Sequence, residues 1–79
     1  MVDLTKIKDA VIGGEVDEVG EMVKKAVEEG QEVKKILKEG LIAGMAIVGD
    51  KYEKGDFFLP EMVIAATAMK QGLKVLSPL

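Results

Sequence analysis

The sequence predicts an all-α protein, an antiparallel four-helix bundle with short loops. Three observations carry this. Apolar residues recur at three- and four-residue spacing, and no stretch alternates with period two. Glycines at 13–14, 30, 40 and 55 divide the chain into helix-length stretches, and the only prolines are at 60 and 78. Acidic residues and Pro60 stand where helices would begin.

The first helix is expected over about 3–12. Asp3 is a candidate N-cap, because its carboxylate can accept the unpaired backbone N–H groups of the first turn. Leu4, Ile7 and Val11 share one face, and Gly13-Gly14 ends the helix. The second is expected over about 16–29. Val16, Val19, Val23, Ala26 and Val27 form its apolar stripe. Asp17, Glu18 and Glu21 lie near its start, where they meet the positive end of the helix dipole. Gly30 ends it.

The third helix is expected over about 32–54, with Gly40 a candidate break inside it. Val33, Ile36 and Leu37 face inward in its first part, followed by Leu41, Met45, Val48 and Tyr52. Ala43, Gly44, Ala46 and Gly49 are small, which suggests a central helix that neighbours approach closely. Gly55 caps its end. The fourth helix is expected over about 59–76. Pro60 suits the first helical position, where its missing N–H is no loss. Leu59, Met62, Val63, Ala66, Met69, Leu73 and Leu76 make its expected buried stripe, and Ser77-Pro78 its stop. A Ser-Pro pair also reads as a linker start. The chain is therefore expected to be the first piece of something longer, natural or cut.

Composition narrows the function. Seventy-nine residues make one small domain. A domain of this size buries only ~60% of the surface its unfolded chain exposes. There are no cysteines, hence no disulfide and no thiolate metal site. This fits a reducing, cytoplasmic compartment. There are no histidines, so the usual neutral-pH acid–base group and the commonest metal ligand are both missing. The one serine, Ser77, sits at the chain's end. No catalytic residue and no metal ligand is assigned. The net charge is −3, with lysines interleaved among acids, which argues against nucleic acid. The longest nearly uncharged apolar run, "LIAGMAIVG" at 41–49, is far short of the roughly 20 residues that span a membrane.

One stretch resists a purely structural account. In "DKYEKGDFFLP", residues 50–60, a charged glycine turn runs into Phe57, Phe58 and Leu59, and with Tyr52 it holds every aromatic residue of the chain. The side chains could plug the bundle end as a hydrophobic staple does. Four large apolar groups within eight residues exceed what a plug needs. A bare apolar patch on a small domain marks a binding surface. Met62, one turn into the last helix, extends it, and methionine adapts to irregular partners.

Residues 39–78, "EGLIAGMAIVGDKYEKGDFFLPEMVIAATAMKQGLKVLSP", resemble the helical cap domain of cobalamin-binding corrinoid proteins. These serve methanol, methylamine and O-demethylation methyltransferase systems, and the cap of cobalamin-dependent methionine synthase is similar but more distant. The features are the Gly-Leu-Ile-x-Gly-Met start, Val-Gly-Asp, an aromatic, a glycine turn, Phe-Leu-Pro and Ala-Met-Lys. "VIGGEVDEVGEMVKKAVEEG" is similar to the family's second-helix region, so the likeness covers essentially the whole chain.

The resemblance implies that residues 1–79 are a cap module of a methyl carrier, not an enzyme by itself. It implies cobalamin as cofactor, roofed by Tyr52, Phe58, Leu59 and Met62. Tyr52 falls where methionine synthase has a capping Phe, and Leu59 on its capping Leu. The main cofactor determinants are then expected in an absent C-terminal Rossmann-like cobalamin domain, which carries the Asp-x-His-x-x-Gly motif whose His ligates cobalt from below. Methyltransferase subunits are the implied partners, and the isolated fragment is expected to bind cobalamin weakly. The alternative is a helical interaction module whose apolar end docks a partner or another copy of itself.

Overall fold

The computed structural model describes residues 1–77. Helix α1 spans Leu4–Ile12, α2 Val16–Glu28 and α4 Leu59–Leu76. Between them runs α3, one continuous helix in three parts: α-helical at Val33–Lys35, π-helical at Ile36–Ile42 and α-helical again at Ala43–Glu53. The bundle measures 38 × 16 × 16 Å. α1 packs against α2 and α3, and α4 against α2 and α3, so α1 and α4 are diagonal partners.

The short helices begin and end as their residues dictate. The Asp3 carboxylate accepts the Thr5 N–H at 2.9 Å, a side-chain cap of the expected kind. The turn after α1 needs a glycine at 14 for two reasons. Its φ is +67°, and a Cβ there would lie 2.3 Å from Cγ2 of Ile64 on α4. The Gly14 backbone thus sits directly against the last helix.

The core consists of Ile7, Ala10, Val11, Val19, Val23, Ala26, Ile36, Leu41, Ala68 and Leu76. Every stripe residue expected to face inward on α1 and α2 is buried or packed against this core.

Three expectations for α3 and α4 are refined by the packing. First, the break expected near Gly40 takes the form of a π segment within a continuous helix. Gly40 lies in that segment, and the inward residues Ile36, Gly40 and Gly44, the last just beyond it, recur every four positions. In an α-helix four residues overshoot a full turn by about 40°, and the wider π turn removes that drift. Gly40 and Gly44 therefore both face α1. A Cβ on Gly40 would be 2.9 Å from Ile7, and one on Gly44 would be 2.8 Å from Val11. Second, of Ala43, Gly44, Ala46 and Gly49 only Gly44 is buried; Ala46 is exposed, and a Cβ on Gly49 would touch nothing within 4 Å. Tyr52, expected at the end of the inward stripe, is exposed as well.

Third, the buried face of α4 lies about a quarter-turn from the expected one. Ala65, Ala68, Gly72 and Leu76 face inward, while Leu59, Val63 and Leu73 are exposed. The cause is close packing. A Cβ at Gly72 would meet Leu41 Cδ2 at 2.7 Å and Val19 Cγ1 at 3.1 Å, so only the small-residue stripe lets α4 approach its neighbours. Pro78, read as part of the stop, lies outside the described residues.

The N-terminal segment is tied across the bundle. The Val2 N–H donates to the Glu29 carboxylate at 2.6 Å, and the Gln31 side-chain amide donates to the Val2 carbonyl at 2.8 Å. The Val2 bond holds the Glu29 pKa below its ordinary 4.5 against desolvation, which opposes it, with further lowering from Gln31 and the N-terminal ammonium. A lowered carboxylate pKa contributes stability above the unfolded value and loses it as pH falls through the folded one. Glu29→Ala is therefore expected to lower the thermal midpoint at pH 7, with the difference closing as pH drops below 4.5. Equal deficits at pH 7 and in acid would show that the carboxylate charge is irrelevant.

Candidate functional site

The turn between α3 and α4 is built from backbone bonds. Lys54 N–H reaches the Asp50 carbonyl at 3.0 Å, and Gly55 N–H reaches that of Tyr52 at 3.1 Å. The Lys51 carbonyl then accepts two donors, Asp56 N–H at 2.8 Å and Phe57 N–H at 3.1 Å. Gly55 has φ +82°, which lets the chain reverse at that point. Phe58 is extended, with φ −105° and ψ 177°, and serves as the N-cap of α4. Its N–H donates to the Glu61 carboxylate. This is one half of a capping box; the other half is absent because a phenyl ring has no acceptor for the N–H of Glu61.

The turn separates the two phenylalanines. Phe57 is half-buried. It lines a hollow of about 180 Å³ with Ile12, Gly13, Gly14, Glu61 and Ile64, and Lys51 Nζ lies 5.5 Å from its ring centre. It is the part of the junction that closes the bundle. Phe58 does the opposite and is 67% exposed. Leu59 is 63% exposed and Tyr52 45%, while Met62 is half-buried. Tyr52 sits in the last turn of α3, and Phe58, Leu59 and Met62 at the start of α4, so all four lie at one end of the molecule. The α1–α2 turn approaches α4 at Ile64 and shares the hollow with Glu61, and α2 approaches α4 at Gln71 and Gly72.

The bare apolar surface continues beyond that end. Ile42 on α3 and Val63 and Leu73 on α4 are exposed, with Met45, Ala66 and Met69 partly so. Sequence reasoning placed Val63 and Leu73 in the core and passed over Ile42. A signal for this was present. Between Leu59 and Leu76 the only charged residues are Glu61, Lys70 and Lys74, so α4 is apolar over a wider arc than one face can bury.

Charge at this end is confined to the rim. Lys54 and Asp50 pair at 3.0 Å on the solvent side of α3. Among the described residues no three His, Cys, Asp or Glu side chains are placed to hold a metal ion. Among the described residues no helix is long and apolar enough to cross a membrane. The arrangement offers an apolar contact surface with one hydroxyl, at Tyr52. It suits a partner with a broad apolar face.

Residues 4–77 match the B12 binding domain family. The chain is 39% identical over 75 residues to a corrinoid protein of Desulfitobacterium hafniense (strain Y51), covering 95% of this chain and 35% of that one. It is 37% identical over 73 residues to monomethylamine corrinoid protein 1 of Methanosarcina barkeri, covering 92% and 34%. Among solved structures, that of the Methanosarcina barkeri monomethylamine corrinoid protein superposes with a TM-score of 0.89 at 37% identity, over 92% of this chain and 34% of the other. The chain spans about a third of the length of the curated relatives it matches.

Proposed function

The chain belongs to the B12 binding domain family, and on that premise we propose that it is the cap module of a corrinoid methyl carrier, roofing the upper face of methylcobalamin. The observation that carries this is the set of Tyr52, Phe58 and Leu59, bare together at one end of the bundle. The donor set fits the cofactor in one respect and limits it in another. A broad apolar end suits a large flat ring. A chain without His or Cys offers no imidazole or thiolate for the metal, so such a ligand would have to come from outside these residues.

When bound, the cofactor supplies the cobalt that carries the methyl group. The residues of this chain keep water and oxidants away. Phe58, Leu59 and Met62 present hydrocarbon, and Tyr52 adds a ring whose hydroxyl can stay at the wet margin. A cap attached through surface contacts alone can also swing aside for the methyltransferase subunits that load and unload the methyl group.

The test uses a chimera in which this chain replaces the matching third of the Methanosarcina barkeri protein, loaded with methylcobalamin. Leu59→Ala and Tyr52→Ala are each expected to speed photolytic loss of the methyl group by about threefold, equivalent to less than 1 kcal/mol of shielding. Photolysis at the parent rate in both variants would end the roofing role.

The extension of the bare face to Ile42, Val63 and Leu73 favours a second reading, a module that docks protein. Sedimentation of the chain alone separates the two. A concentration-dependent dimer that Leu73→Lys abolishes supports docking; a monomer at all concentrations removes self-docking.

A further inference from the structure

We propose that Glu61 is a positioning residue: it fixes the backbone at Phe58, so that Phe58 and Leu59 are presented ready-made by this chain and not moulded by its ligand. The proposal deepens the cap reading and rests on it.

Five consecutive backbone N–H groups, Lys54 to Phe58, are all bonded. The first four donate to carbonyls of α3, at Asp50, Tyr52 and Lys51. The fifth, Phe58 N–H, donates at 2.5 Å to Glu61, on α4. The turn therefore hangs from α3 up to Phe57, and Glu61 makes the one side-chain bond that ties it to α4. At this point the side chains switch direction, with Phe57 folded inward and Phe58 and Leu59 turned out. A rotation at Phe58 would move both exposed side chains together.

Local helix chemistry does not explain the choice of residues. The favoured N-cap types are Ser, Thr, Asp and Asn, whose side chains accept an N–H of the first turn. Phe58 accepts nothing, and most of its ring faces solvent. A local rule broken on both counts at one residue is expected where function overrides stability. Glu61 restores half of the missing cap and leaves the ring free. Pro60 adds to this, since its fixed φ and missing N–H leave no donor at that position to compete for the carboxylate.

Glu61→Ala and Glu61→Gln are the test, with two readouts. The first is solvent exchange of the Phe58 amide in the chain itself, measured by NMR. Loss of one bond to a carboxylate is expected to raise exchange about tenfold in Glu61→Ala. Glu61→Gln keeps an acceptor at the same reach and should stay close to the parent. The second is methylcobalamin photolysis in the chimera, expected to quicken in Glu61→Ala and to be rescued in Glu61→Gln. Unchanged Phe58 exchange in Glu61→Ala overturns the proposal. So does faster exchange with parental photolysis, if Leu59→Ala does speed photolysis. If Leu59→Ala and Tyr52→Ala both leave photolysis unaltered, the cap reading falls, and amide exchange alone decides whether Glu61 holds the turn.

Discussion

Gly72→Val is expected to destabilise the chain by about 3 kcal/mol, the upper end for overpacking a close-packed core. The sign is not obvious from helix propensity, since glycine inside a helix is the poorer former by about 1 kcal/mol relative to Ala. Contact decides it. A Cβ at position 72 would stand 2.7 Å and 3.0 Å from the two methyls of Leu41, and 3.1 Å from Val19. Leu41 and Val19 are fully buried, so neither can step aside into solvent. Whole-domain stability runs at roughly 0.05–0.15 kcal/mol per residue, so the loss is a large fraction of the total. Gly49→Ala provides the control. A Cβ there meets nothing within 4 Å, and the substitution should stabilise by about 1 kcal/mol. Urea titration followed by circular dichroism reads both. A Gly72→Val chain as stable as the parent would mean that α4 does not approach α2 and α3 as closely as described.

Phe58→Ser is expected to move stability and function in opposite directions. Serine at the N-cap, with Glu61 three residues on, completes the reciprocal capping box that Phe58 leaves half-made. The helix should gain about 1 kcal/mol. Little burial opposes this, because two-thirds of the ring's surface is already exposed. In the loaded chimera the same change removes the largest exposed apolar group of the roof, and methyl photolysis should rise at least as much as in Leu59→Ala. A less stable Phe58→Ser chain would show that the ring packs within the fold. Higher stability with unchanged photolysis would show that the ring serves something other than the cofactor.

Much of the architecture was legible from local signals. Pro60 and Glu61 place the start of α4 at Leu59, and the Asp3 cap sets the start of α1. The family likeness was legible too, in the run of Val-Gly-Asp, Phe-Leu-Pro and Ala-Met-Lys, and the match over residues 4–77 agrees with it. The facing of α4 was not. Its large and small apolar stripes are about equally good as periodic patterns, and hydrophobicity favours the large one. The helix turns the small one inward because Gly72 and the alanines admit a neighbouring backbone. Nor could composition tell Phe57 from its neighbour. Adjacent in sequence, they part because one lies against the α1–α2 turn and the other stands, mostly exposed, at the N-cap of α4.

Helix number, their limits and the crowding of aromatic residues at one junction follow from the order of amino acids alone. Caps, glycines and prolines act over a few bonds, and their effects do not wait for a partner. Which side of α3 and α4 is left bare was decided only when the helices packed. That choice depends on how closely two backbones can approach, a property of the pair and of neither helix by itself. The π segment of α3 has the same origin, since it keeps Ile36, Gly40 and Gly44 turned towards one neighbour.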